Sequence, residues 1–138
     1  MGARGPLRGS PIVARRSTPD PLDVMSLIVL YRPVGPKELA LIEASGWRGF
    51  PPRLPEQPIF YPVLNEAYAT QIARDWNVRE SGSGFVTKFS VPSAFVERYP
   101  VQTVGGATHQ ELWVPAEELE EFNRNIVGPI VVVATFGA

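Results

Sequence analysis

Apolar positions in this chain fall into short, separated groups, and their spacing switches between strand-like and helix-like periods. Residues 26–32 (SLIVLYR) form a β-branched apolar run that predicts a buried strand. Pro33 to Pro36 turn the chain, and Pro36 suits a first helical turn, where its missing N–H costs nothing. Leu39, Ile42 and Leu41 give that helix an apolar side, and Gly46 is placed to end it in a left-handed conformation. Residues 47–58 hold four prolines and predict an extended, semi-rigid loop, either an edge for a partner or the rim of a pocket. A second short strand follows at 59–61, closed by Pro62. Asn65 is a good N-cap for a helix over 66–77, whose apolar positions Tyr68, Ile72, Ala73 and Trp76 recur at three- and four-residue spacing. Trp47 and Trp76 are expected to pack on the core.

Residues 81–84 read as a flexible turn, and 85–91 alternate as a half-buried strand does. A helical turn is expected at 95–99, stopped by Pro100. Gly105-Gly106 marks a bend before a strand at 111–114. Pro115 opens a helix with Glu117 and Glu118 in its first turn and Leu119 and Phe122 facing inward. Gly128-Pro129 ends it. Residues 130–136 (IVVVATF) make the strongest strand pattern in the chain, expected at the centre of a sheet. Strands separated by helices, with connections too short for a doubly wound fold, predict an α+β domain.

Composition changes this picture at the N-terminus. Residues 1–24 are rich in Gly, Pro, Arg and Ser and predict a disordered extension ahead of a single domain over 25–138. Met25 stands directly before the first strand; it reads as a natural start, or else the extension is a basic tail for an acidic partner. The extension carries four arginines against two aspartates, and the remainder nine basic against twelve acidic residues. With a net charge of −1, nothing points to nucleic acid. There is no cysteine, so disulfides, thiolate metal sites and cysteine nucleophiles are excluded, and one histidine excludes a multi-histidine metal site within the chain. No run approaches the roughly 20 apolar residues of a membrane span, and no apolar signal-peptide core is present, so a cytoplasmic location is expected.

Four residues carry candidate chemistry. Arg32, at the end of the first strand, offers a planar fork for phosphate or carboxylate, or is simply ion-paired. Tyr61 closes the second strand and could stack on a flat ring or serve as a half-buried core aromatic. Glu111 opens a strand and could orient a sugar hydroxyl or stabilise a developing cation, or be a solvated edge residue. His109 is a general base, a polar contact or a turn residue. The cluster Glu117, Glu118, Glu120 and Glu121 reads as a solvated helix face.

The run LYRPVGPKELALIEASGWRGFPPRLPEQPIFYPVLNEAYATQIARDWN, then GFVTKFSVP, then HQELWVPAEELEEFNRNIVGPI, resembles a group of small bacterial proteins often labelled "ADP-ribosylation/crystallin J1". The resemblance covers 26–136, and the order of elements is similar to the compact ADP-ribosyltransferase fold, including the rifamycin-modifying transferases. It implies a split mixed sheet with about three helices. It also implies NAD as substrate and an ADP-ribosyl transfer to an unknown protein or small-molecule acceptor. By order along the chain, Arg32 would hold phosphate or ribose, Tyr61 would pack on the nicotinamide, and Glu111 would stabilise the oxocarbenium-like state as nicotinamide leaves. His109 would add a contact to the NAD, in the position where the family often carries Glu or Gln. Pro33 stands where the family has glycine, and Pro62 where it has a small hydroxyl residue. These departures raise a second reading, a noncatalytic nucleotide- or protein-binding module on the same fold. A third is an interaction protein forming a homodimer through an exposed sheet edge.

Overall fold

The computed structural model describes residues 26–137, and the extension expected at 1–24 lies outside the described residues. Strand β1 (Leu27–Val34) runs into helix α1 (Pro36–Ala44), with Pro36 in its first turn as its fixed φ allows. Gly46, at φ 78°, ends the helix, and the Trp47 N–H reaches back to the Ile42 carbonyl at 3.1 Å. The proline loop leads to β2 (Ile59–Phe60). Asn65 then caps α2, its side chain accepting the Tyr68 N–H at 2.7 Å. Helix α2 covers 66–81: an α-helical stretch Glu66–Ile72, a wider π turn Ala73–Asn77 and a last α turn Val78–Ser81.

Strand β3 (Ser83–Pro92) follows at once. The flexible turn expected at 81–84 is therefore a helix cap, Gly82 at φ 86°, and the first buried residues of a strand. Gly84 is there for close approach: a Cβ at this position would lie 2.2 Å from the Ala73 carbonyl of the π turn. After β3 come α3 (Ser93–Val96), β4 (Val101–Thr103), β5 (Gln110–Leu112), β6 (Val114–Pro115), a 3₁₀ turn Ala116–Glu118, α4 (Leu119–Arg124) and β7 (Val127–Gly137).

The fold is α+β, with four helices among the described residues. Strand β3 lies between β1 and β7, β2 pairs with β6, and β4 pairs with β5. Every one of these pairings is antiparallel, where a mixed sheet was expected. The reason lies in the return of the chain: β3 begins beside the end of β1, Phe85 opposite Val34, and must run back along it. The run expected at the sheet centre, β7, is instead at an edge, with Val131, Val132 and Val133 exposed. A continuous apolar run does not distinguish a strand buried on both faces from one buried on neither.

Alternation along β1 and β3 gives the sheet two packed faces. Leu30, Val34, Phe89 and Val91 meet Ile42, Phe50, Phe60 and Phe122 in the larger core. On the other side Val86 meets Val63, Ala69 and Ala73, with Tyr31 and Tyr68 packed against them. Leu119 and Phe122 face inward as expected, and Trp47 packs partly on the core. Trp76 does not; it is 55% exposed. No helix among the described residues is long and apolar enough to cross a membrane.

Candidate functional site

Val63 sits between two strands as a single bridging residue. It exchanges hydrogen bonds with Tyr31 (2.7 and 2.9 Å), while the residues either side of it pair with β5: Leu64 N–H to Gln110 O at 3.0 Å and Leu112 N–H to Pro62 O at 2.9 Å. This bridge brings the end of β1, the segment after β2 and the whole of β5 side by side. Arg32, Tyr61 and Glu111, far apart in sequence, consequently line one open cleft of about 820 Å³. Its volume lies within the range of small-molecule sites. The proline-rich loop forms part of the rim, through Pro51, Pro52 and Arg53.

Glu111 is held at both oxygens. Trp113 Nε1 donates to one at 2.8 Å and the Tyr68 hydroxyl to the other at 3.0 Å. A carboxylate so fixed has its orientation set before any ligand arrives. Burial, and then the hydrogen bond to Glu111, push the Tyr68 hydroxyl up to about 12, which keeps it a donor. Tyr61 is 39% exposed and stands edge-on to Trp113, ring centres 6.3 Å apart. With Trp76, these rings give the cleft aromatic surface that faces solvent.

Arg32 is buried and its fork is closed on Glu38: Nε and Nη2 donate to the two carboxylate oxygens at 2.6 and 3.0 Å. Its third nitrogen reaches the Tyr61 carbonyl at 3.4 Å, and the guanidinium lies 4.7 Å from the centre of the Phe60 ring.

His109 is not brought into the lining of the cleft. Its ring stacks on Tyr68 at 4.5 Å and 13°, and its Nδ1 accepts the Gly106 N–H at 3.1 Å. It packs on the ring whose hydroxyl orients Glu111. Asn77, at the end of the π turn, also lines the cleft, and its Oδ1 is buried with no donor among the described residues. Such π turns concentrate at functional sites.

The sequence reading missed Trp113, Tyr68 and Arg53 as parts of this site. A signal existed for Trp113: it lies two residues after Glu111, on the same side of an extended segment whose intervening Leu112 is core. Nothing local marks Tyr68, whose partner is 43 residues away. No three acidic or histidine side chains among the described residues cluster as a metal site does. No protein-family model, no curated protein and no solved structure matches the chain.

Proposed function

We propose that the cleft binds an NAD-like dinucleotide and that the protein is an ADP-ribosyltransferase acting on a protein or small-molecule acceptor. The observation that carries this reading is the clamped carboxylate of Glu111, presented in one cleft with Arg32 and the open ring of Tyr61. The chemistry is cleavage of the bond between nicotinamide nitrogen and ribose C1′. The bonding electron pair leaves with the nicotinamide, which becomes neutral, and positive charge builds on the ribose. Glu111 accepts a ribose hydroxyl and stabilises that charge. The acceptor, or water in its absence, then attacks C1′ and gives up one proton. Tyr61 offers its face to the nicotinamide ring.

The test is nicotinamide release from NAD by the purified protein beside its Glu111→Gln variant, with and without a candidate acceptor. The expected result is a fall in release on the order of a hundredfold or more in the variant, with unchanged melting behaviour. Equal turnover in a folded variant removes Glu111 from the mechanism.

The Arg32–Glu38 pair bears on a second reading, a noncatalytic nucleotide- or protein-binding module. An arginine already closed on a carboxylate has no fork to offer a phosphate, so one of the three residues that the transfer reading gives to NAD does not serve it. Stoichiometric NAD binding without nicotinamide release under any acceptor condition supports this reading over the first.

A further inference from the structure

Cations outnumber carboxylates in the cleft: Arg32, Lys37 and Arg53 line it with Glu38 and Glu111. Glu38 is paired with Arg32, and Glu111 keeps its charge, held by two uncharged donors. Two further cations line the same cleft, Arg53 and Lys37, and neither makes an ion pair among the described residues. Arg53 uses its Nε on the Ile59 carbonyl at 3.1 Å. That contact aims the side chain and leaves its two terminal nitrogens for something else.

Arg53 is also well supported. Pro51 and Pro52 precede it and Pro55 and Pro58 follow it, each removing backbone freedom. Phe50 anchors the loop in the core at 4% exposure. Asn123 on α4 clasps the Phe50 backbone twice, accepting its N–H and donating to its carbonyl, both at 2.9 Å. At the other end the Ala116 N–H donates to the Pro58 carbonyl at 2.8 Å. A loop fixed at both ends presents a half-buried guanidinium at the rim without further ordering cost. Burial, and next the neighbouring Arg32 charge, pull the Arg53 guanidinium below its ordinary value, with Glu38 and Tyr61 acting in the opposite direction. A half-buried cation with a second cation near it is a place where an incoming anion is stabilised.

We infer that Arg53, assisted by Lys37, is the site in this cleft that takes a ligand's phosphate group, in the role that chain order assigned to Arg32. Arg53 supplies a planar fork and Lys37 a mobile point charge. Arg32 is then a positioning residue, tying α1 to the segment after β2. The ligand's identity as a nucleoside diphosphate rests on reading the cleft as a nucleotide site; the phosphate contact itself does not need the transfer reaction.

The experiment is calorimetric titration of the full chain with ADP, inorganic pyrophosphate and adenosine, for the native protein and for Arg53→Gln, Arg53→Lys and Lys37→Gln. Native protein is expected to bind ADP and pyrophosphate. Arg53→Gln is expected to weaken both on the order of tenfold to a hundredfold, the value of hydrogen bonds to a charged group. Adenosine binding stays unchanged, because it has no phosphate. Arg53→Lys falls between, keeping charge and losing the fork, and Lys37→Gln loses a few-fold. A purely structural Arg53 would weaken adenosine and ADP alike. If Arg53→Gln does not fold, Arg53→Lys carries the same comparison.

Native affinity for ADP in a folded Arg53 variant overturns the inference, as does failure of the native protein to bind either anion. Nicotinamide release with an unchanged KM for NAD in Arg53→Gln overturns it too, while keeping the transferase. Phosphate binding lost in Arg53→Gln by a protein that never cleaves NAD keeps the inference and removes the transferase.

Discussion

The aromatic core and the cleft are built from the same residue types on the same short segments, and they differ in which side of the chain each residue occupies. Phe60 is fully buried and its neighbour Tyr61 is 39% exposed; Leu112 is 1% exposed and its neighbour Trp113 is 42% exposed. In the core the rings meet at an angle, Phe50 on Phe60 at 5.0 Å and Phe60 on Phe122 at 5.5 Å, each filling space another leaves. In the cleft Tyr61 and Trp113 touch edge to face and leave ring surface open to solvent. Ring surface left in water gives up roughly 25 cal/mol of stabilisation for every Å². The core rings serve stability, and the cleft rings are available to a ligand.

The sharpest way to break this contrast is a pair of truncations. Phe60→Ala empties a fully buried site and is expected to cost about 3–5 kcal/mol in urea unfolding. Trp113→Ala removes a larger side chain and is expected to cost within about 1 kcal/mol, because it vacates surface and not core. The cleft variant should instead impair ligand binding, having removed both a ring and a donor to Glu111. Equal stability losses would mean that the two sets of rings are one core.

Arg32 joins the two regions, its flat face over Phe60 and its fork on Glu38. Its side chain is 10% exposed and that of Glu38 21%, so the pair is well shielded from solvent. Glu38→Gln leaves a shielded guanidinium without its counter-charge. The expected loss is about 1.5–3 kcal/mol, read from the same unfolding curves. The opposite sign is expected for an anionic ligand: removing a negative charge from the cleft should tighten ADP binding. A variant that loses stability without gaining affinity would place Arg32 and Glu38 with the core alone.

The sequence carried the elements further than their arrangement. Pro36, Gly46 and Asn65 act through local backbone chemistry, and each occupies the cap or first-turn position expected of it. Arg32, Tyr61 and Glu111 were each singled out at an expected strand end, and their order came from the resemblance; the three do line one cleft, although Arg32 lies inside β1 and Glu111 in the middle of β5. What pairs with what was not legible. The IVVVATF run lies at an edge because β3, with Lys88 and Gly84 in a weaker apolar pattern, is the strand flanked on both sides. Glu38 is only six residues from Arg32, yet it reads as an ordinary exposed position of a short helix until the fold turns that helix toward the cleft. Trp76 fits a helical apolar stripe at the ordinary period, but it lies in the wider π turn Ala73–Asn77, where Ala73 meets the sheet and Trp76 is left facing solvent. Register and long-range contact decide these cases, and neither is encoded within a local window.

The finest distinction between the two regions is a matter of pH. Tyr68 links them, with its ring packed against the smaller core and its hydroxyl on Glu111. Burial, and then that hydrogen bond, raise its hydroxyl from about 10 in the unfolded chain to about 12 in the folded one. The folded state therefore holds this proton more tightly. Its contribution to stability is complete below pH 10 and is lost as pH rises from 10 through 12. Tyr99 is raised as well, by burial and by its hydrogen bond to Glu118, and adds to the same alkaline loss. Tyr68→Phe keeps the packed ring and removes the titrating group. It is expected to cost about 1 kcal/mol at neutral pH and to flatten, without abolishing, the decline between pH 10 and 12, since Tyr99 remains. Urea unfolding at unit pH steps reads both effects. Parallel curves for the two proteins over that interval would show that the hydroxyl does not sense Glu111, and the clamp on that carboxylate would then rest on Trp113 alone.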